Sequence, residues 1–154
     1  MRVSKKTDYA LRALLSLVDG CNGPPIPIRR LAEKNSIPKR FLEQIMLELK
    51  SQGWATSLPG KTGGYLLGNN PDRITLGEIV RHFDGVLAPI GCVSVTGYEP
   101  CDQEETCRFR EVFMEIRDHT ARLMDRITLV DVAKGNPLAT VSDMEKAFLE
   151  RIGK

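Results

Sequence analysis

Three of the four cysteines lie within sixteen positions, and they are the residues of this chain best suited to chemistry. Cys92, Cys101 and Cys107 follow the spacing C-x8-C-x5-C. Glycine and proline residues interrupt the interval, which predicts a loop. Three thiolates on one loop can bind a soft metal ion or an iron–sulfur cluster. The simpler alternative is three free thiols in an irregular segment.

The composition indicates the size of the domain and the cellular compartment in which this loop operates. The chain has 154 residues, of which 42% are hydrophobic, so we expect one domain or one domain with an appendage. No apolar run approaches the ~18 residues of a membrane-spanning helix, and the charged N-terminal segment lacks the features of a signal peptide. We therefore expect a cytoplasmic protein, in which clustered cysteines indicate metal or redox chemistry rather than structural disulfides.

The charge is distributed unevenly along the chain. Residues 1–85 contain 13 Lys and Arg against 8 Asp and Glu, whereas residues 86–154 contain 9 against 12. The first half therefore carries a net charge of +5 and the second half −3. A basic N-terminal half favours a polyanionic partner there.

The basic half contains a predicted helix-turn-helix. An apolar first helix, about 4–19, is expected to be central and buried. Two shorter helices, about 28–35 and 38–52, are joined by a tight turn. The second has an apolar stripe and a polar, cationic face, which is typical of a recognition helix but also of any amphipathic helix pair. The candidate base and phosphate contacts on this face are Lys39, Arg40, Glu43 and Gln44.

A predicted β-hairpin directly after these helices favours the DNA-binding interpretation. Residues 54–58 and 65–67 have the composition of strands, and a glycine-rich turn separates them. A hairpin in this place is a wing, whose tip can approach a phosphate or the minor groove closely. The candidate contacts at the tip are Gly60, Lys61, Gly63 and Gly64.

The C-terminal half contains a heptad-like seam of apolar positions, with steps of four and three residues. The seam is either core against the first helix or a dimer interface. We favour the dimer, because DNA readers with a single helix-turn-helix usually pair to bind two half-sites. The predicted interface residues are Phe109, Val112, Phe113, Ile116, Thr120, Leu123 and Ile127. Residues 128–132 could form a short capped segment, and 143–152 a last helix.

The predicted fold is therefore mainly α with a small β-hairpin. It divides into a winged helix-turn-helix DNA-binding domain at 1–85, a cysteine-containing cluster-binding loop at 86–107 and a dimerisation helix at 108–132. A C-terminal tail with a short helix follows at 133–154.

Four segments together resemble the Rrf2 family of bacterial winged-helix transcription regulators: DYALRAL at 8–14, FLEQI at 41–45, GGYLL at 63–67 and ITLGEI at 74–79. The resemblance implies a homodimeric regulator, usually a repressor, which binds a palindromic operator in double-stranded DNA and dimerises through its long helix. The three clustered cysteines are similar to those of the cluster-binding members (IscR-like and NsrR-like).

The resemblance also bears on the fourth cluster ligand. IscR-like members have a histidine three residues after the last cysteine, where this chain has Arg110, and the first two cysteines are farther apart here than is common. Asp8 matches the position from which NsrR-like members supply a carboxylate across the dimer. The alternative is that Asp8 is only a first-turn carboxylate at the positive end of its helix. We expect [2Fe-2S] rather than [4Fe-4S].

We therefore predict a transcription regulator that senses redox state, nitric oxide or iron–sulfur status through a cluster held by Cys92, Cys101, Cys107 and Asp8. The alternatives are a zinc-binding regulator and a thiol–disulfide switch without metal. Enzyme activity is not expected, because neither His82 nor His119 has a spacing that suggests a base for a cysteine nucleophile.

Overall fold

The computed structural model describes residues 2–138, whose regular secondary structure is helical apart from one β-hairpin. The helices are α1 Lys5–Asp19, α2 Ile28–Asn35, α3 Lys39–Ser51, α4 Leu76–Asp84, α5 Arg110–Arg126 and α6 Leu129–Ala133, and the strands are β1 Ala55–Leu58 and β2 Gly64–Leu67. Short 3-10 turns occur at Pro71–Arg73 and Gly91–Val93. The predicted helix at 143–152 lies outside the described residues.

Helix α1 is the centre of the fold, as predicted. Its first turn is capped by Ser4, whose hydroxyl accepts a hydrogen bond from the Thr7 N–H at 3.2 Å. The helix packs against α2, α3, α4, α6 and β2. The residues on its inner face are buried almost completely, and they are Ala10, Ala13, Leu14 and Leu17. Small side chains at two of these positions allow the neighbouring helices to approach closely.

The turn between α2 and α3 gives the pair its helix-turn-helix geometry. Ser36 ends α2 in the left-handed conformation, with φ 53° and ψ 43°, and Pro38 precedes α3. Strands β1 and β2 follow and pair antiparallel, with Ala55 opposite Leu67 and Leu58 opposite Gly64. This confirms the predicted helix-turn-helix and wing.

The segment 108–132, predicted as the dimerisation helix, contains the two helices α5 and α6, and α6 lies where a short capped segment was predicted at 128–132. Ile127 ends α5 in an extended conformation, and Thr128 caps α6 through a capping box with Asp131. Ile127 is only 5% exposed, and its carbonyl accepts a hydrogen bond from the Leu76 N–H at 2.9 Å. Ile127, which was predicted for the dimer interface, is therefore buried within its own chain, because the chain turns there and Leu129 enters the core beside α1.

No helix within residues 2–138 combines the length and the apolar character that crossing a bilayer would require.

The base of the wing depends on Gly64. The segment before α2 pairs with the wing, since Ile26 and Tyr65 exchange two backbone hydrogen bonds of 2.9 Å. A Cβ at Gly64 would lie 2.5–2.8 Å from backbone atoms of Ile26 and Pro27. We expect Gly64→Ala to lower the free energy of unfolding by about 2 kcal/mol, because backbone must move to make room. Urea unfolding followed by Trp54 fluorescence measures this.

Gly23→Ala is the matched control. A Cβ at Gly23 would meet only the Gly20 carbonyl oxygen, at 3.4 Å, so we expect a change within about 0.5 kcal/mol. Equal unfolding midpoints for the two variants would show that the base of the wing relaxes freely.

Candidate functional site

Helix α3, the predicted recognition helix, packs against the core with one face and presents the other to solvent. Its apolar stripe is completely buried, and the stripe consists of Leu42, Ile45, Met46 and Leu49. The opposite face carries Lys39, Arg40, Glu43 and Gln44, as predicted from the periodicity. Lys39 and Glu43 form an ion pair at 3.4 Å. Arg40 is exposed and has no ion-pair partner within residues 2–138, so its guanidinium is available to a ligand.

The wing tip lies beyond β1 and β2 and is exposed. Gly60 has φ +108° and open space around it, and Lys61 beside it is also exposed. Gly63 and Gly64 instead approach the chain's own backbone, Gly63 at Leu58 and Gly64 at Ile26. The two later glycines therefore have a packing role in the hairpin that the sequence did not indicate, whereas Gly60 and Lys61 face outward.

The three clustered cysteines occupy different environments. Cys92 lies in a 3-10 turn and is buried with Ala88 and Val93, against Phe113 and Met114 of α5. Cys101 is exposed and Cys107 is half-buried, and each is a free thiol, as is Cys21. Phe113, predicted for the dimer interface, thus packs at least partly against the cysteine loop of its own chain.

The ligand geometry for a metal is not assembled in this conformation of the loop. Within residues 2–138, no three His, Cys, Asp or Glu side chains come close enough together to hold a metal ion. Thiols are the right donor type for an iron–sulfur cluster, but their positions do not fit one. Ligation by Cys92, Cys101 and Cys107 together would require the loop to change shape.

A polar network holds the cysteine loop on the first turn of α5. The Tyr98 hydroxyl donates to Glu104 Oε2 at 2.7 Å, and Arg110 Nη2 donates to Glu104 Oε1 at 2.6 Å. The hydrogen bond from Tyr98, followed by the charge of Arg110, lowers the pKa of Glu104, and the same hydrogen bond raises the pKa of Tyr98. Both carboxylate oxygens of Glu104 are therefore in use, which removes it as a ready ligand.

A second contact ties the loop to the middle of α5. Arg117 donates from Nη1 to the Val93 carbonyl at 2.6 Å and pairs with Asp118 at 2.7 Å. Sequence reasoning missed Tyr98, Glu104, Arg110 and Arg117 as determinants of the loop. Arg110 and Arg117 are seven positions apart on α5, but their partners Glu104 and Val93 lie in the loop, so no local signal could have identified these contacts.

Asp8, the predicted fourth ligand, lies in the first turn of α1 and forms an ion pair with Arg12. Arg12 Nη1 also donates to the Asn35 carbonyl at 3.0 Å. Asp8 is half exposed and belongs to no group of three potential metal ligands within the described residues. Within one chain it therefore has the structural role that was the alternative interpretation.

Helix α5 exposes large apolar side chains on the surface predicted for dimerisation. The exposed fractions are 68% for Phe109, 58% for Val112 and 46% for Ile116. Thr120 and Leu123 are half-buried. The seam is thus exposed at its N-terminal end and becomes covered toward Ile127.

Comparison with known proteins identifies the family of this chain. A family model described as Rrf2, an iron-dependent transcriptional regulator, matches residues 3–135. An rrf2-like HTH-type transcriptional regulator of Rhodobacter capsulatus is 40% identical over 144 residues, which cover 89% of this chain and 96% of the relative. The chain belongs to the Rrf2 family. This Rrf2 protein is therefore a transcription regulator and not an enzyme, as predicted.

Solved structures agree with the winged-helix fold. The structure of CymR, the global cysteine regulator of B. subtilis, has a TM-score of 0.75 and 31% identity, covering 88% of this chain and 98% of that one. IscR of T. potens has a TM-score of 0.68 and 25% identity, covering 93% of both chains. This Rrf2 chain is thus similar both to the cysteine regulator CymR and to IscR.

The network around Glu104 gives a test of the loop. We expect Tyr98→Phe to raise the pKa of Glu104 toward its ordinary value, because the largest stabilising contact of the carboxylate is removed. Carboxyl carbon shifts followed by NMR titration measure this. With the pKa lowered in the folded state, Glu104 stabilises the loop above its ordinary pKa and loses this effect as the pH falls through the lowered one.

Tyr9→Phe is the control for this titration, since Tyr9 lies on α1 against Phe41 and Arg12. It should leave the pKa of Glu104 unchanged. An unchanged pKa in Tyr98→Phe as well would mean that Arg110 alone sets the ionisation of Glu104.

Proposed function

We propose that this Rrf2 chain is a homodimeric repressor that binds a palindromic operator through α3 and the wing, with residues 86–107 as its sensor. The observation that carries the proposal is the outward face of α3, where Arg40 and Gln44 are exposed beside a wing that ends in Lys61. Arg and Gln are suited to bidentate contacts with guanine and adenine in the major groove.

The dimer is supported by the apolar surface at the start of α5. Phe109, Val112 and Ile116 are spaced along one face and are all exposed in the single chain. Burying them against a second copy would remove apolar area from water. A two-fold dimer would present two α3 helices to half-sites about one helical turn, or roughly 34 Å, apart.

An iron–sulfur cluster is the proposed occupant of the sensor, with Cys92, Cys101, Cys107 and Asp8 of the partner subunit as ligands. The support is donor chemistry: three soft thiols on one loop, and a half-exposed carboxylate that could be displaced easily. The family model's description as iron-dependent adds to it. Because the described loop keeps the thiols apart, loading would require the loop to rearrange.

A thiol switch without metal is the second candidate. All four cysteines are free, and Cys101 is exposed where an oxidant can reach it. The similarity to CymR, a global cysteine regulator, favours this alternative. Zinc held by the same thiolates is a further occupant that the same experiment distinguishes.

The absorbance of anaerobically isolated protein separates these candidates. We expect visible absorbance in the wild type, its loss in Cys92→Ser, Cys101→Ser and Cys107→Ser, and its retention in Cys21→Ser, the matched control. Asp8→Ala should alter the spectrum and its response to nitric oxide. Metal analysis and mass spectrometry run alongside.

A colourless protein that contains zinc would overturn the cluster in favour of a zinc site. A colourless protein that only forms disulfides under oxidant would overturn it in favour of a thiol switch. If the loop is the sensor, DNA affinity should differ about tenfold to a hundredfold between its two states, which is about 1.4–2.7 kcal/mol. Equal affinity of both states would remove the sensor role.

Substitution of Lys61 tests whether the wing contacts DNA. We expect Lys61→Ala to weaken operator binding and to reduce the log–log salt dependence by about one for each wing, without changing the preferred sequence, because a lysine at the tip contacts phosphate. Lys134→Ala changes the same charge after α6 and should bind as the wild type does. A changed consensus in binding-site selection would show instead that Lys61 reads bases.

A further inference from the structure

Leu47 is an exposed apolar residue at the centre of the outward face of α3, the face that is proposed to contact DNA. It is 57% exposed, whereas the four apolar residues of the opposite stripe are completely buried. The core therefore does not require a leucine at this position. Phe41, the other exposed apolar residue of α3, differs because its ring packs edge-on against Tyr9 at 5.7 Å.

Helical geometry aligns Leu47 with the candidate base contacts. Residues four and seven positions apart lie on nearly the same line along an α-helix, and Arg40, Gln44 and Leu47 have this spacing. Arg40 and Leu47 are separated by two turns, or about 10.5 Å at a rise of about 1.5 Å per residue. This equals about three base-pair steps at about 3.4 Å each.

The major groove offers an apolar side chain one matching group on its base edges. Thymine presents its C5-methyl group there, while the other base edges present hydrogen-bond donors and acceptors. A leucine directed into the groove therefore gains from a thymine and leaves polar edges unsatisfied elsewhere. Single exposed apolar residues are common on protein surfaces, but Leu47 is flanked by polar residues on the surface that would be covered by DNA.

We propose that Leu47 is a specificity-determining residue, which packs against the C5-methyl group of a thymine about three base-pair steps from the base pair contacted by Arg40. This inference rests on the proposed DNA-binding function. It adds a hydrophobic contact with a base to the hydrogen bonds that Arg40 and Gln44 are proposed to make.

Uracil substitution isolates the methyl group, because uracil pairs with adenine as thymine does and lacks only that group. The full-length protein is first used to select its operator from randomised duplex DNA. Each thymine of the selected half-site is then replaced by uracil, and binding is measured by fluorescence anisotropy at fixed salt. We expect one position at which uracil weakens wild-type binding about fourfold per half-site, the value for burial of one methyl-sized group.

Two substitutions of similar size provide the test at Leu47. Leu47→Met keeps an apolar side chain and should keep the methyl dependence, whereas Leu47→Gln should bind thymine and uracil operators equally. Both residues are good helix formers, and the position is exposed, so urea unfolding midpoints should stay close to that of the wild type.

The outcomes separate this inference from the proposed function. If the wild type selects no operator, DNA binding by α3 fails, and the inference fails with it. If the wild type binds a defined operator but no thymine is methyl-sensitive, or if Leu47→Gln retains the full methyl dependence, only the role of Leu47 is overturned. Loss of methyl dependence in Leu47→Gln, with retention in Leu47→Met, supports it.

Discussion

The burial of α1 determines the orientation of everything that could contact DNA or sense a signal. Ala10, Ala13, Leu14 and Leu17 are almost completely inaccessible, and α2, α3, α4, α6 and β2 all pack against this helix. Because the apolar stripe of α3 must enter the same core, its polar face can only point outward. The direction of the recognition surface is thus a consequence of hydrophobic burial on the other side of the helix.

The core around α1 also holds the C-terminal end of α5, the helix against which the cysteine loop packs. The end of α5 is attached to this core, since the Ile127 carbonyl accepts a hydrogen bond from the Leu76 N–H and Leu129 packs beside α1. Near its start, Phe113 and Met114 pack against the buried cluster that contains Cys92. A chemical change at Cys92 would therefore act on α5 between the loop and the proposed dimer surface, while the core stays in place. Close-packed contacts of this kind transmit small displacements, since they leave few voids to absorb them.

Local signals made much of the fold predictable. The Ser4 cap, the capping box of Thr75 with Glu78, and the apolar stripe of α3 each depend on residues within one or two turns. The break at Ile127 was harder to see, because the four–three spacing continues across it and competes with the capping signal at Thr128. The positions of the cysteines were not predictable, since contacts such as Arg117 to Val93 join residues far apart in sequence.

The proposed exchange of Asp8 between two roles is energetically reasonable. Its ion pair with Arg12 is a half-exposed contact four residues apart on one helix, and such pairs contribute only about 0.3–0.5 kcal/mol. Arg12 would keep its hydrogen bond to Asn35 and its position over the Tyr9 ring if Asp8 left. The link between α1 and α2 therefore does not depend on Asp8. Because Asp8 would give up only this weak ion pair, it could ligate a metal in a second protomer without destabilising the helix that carries it. A displaceable sensor ligand requires this property.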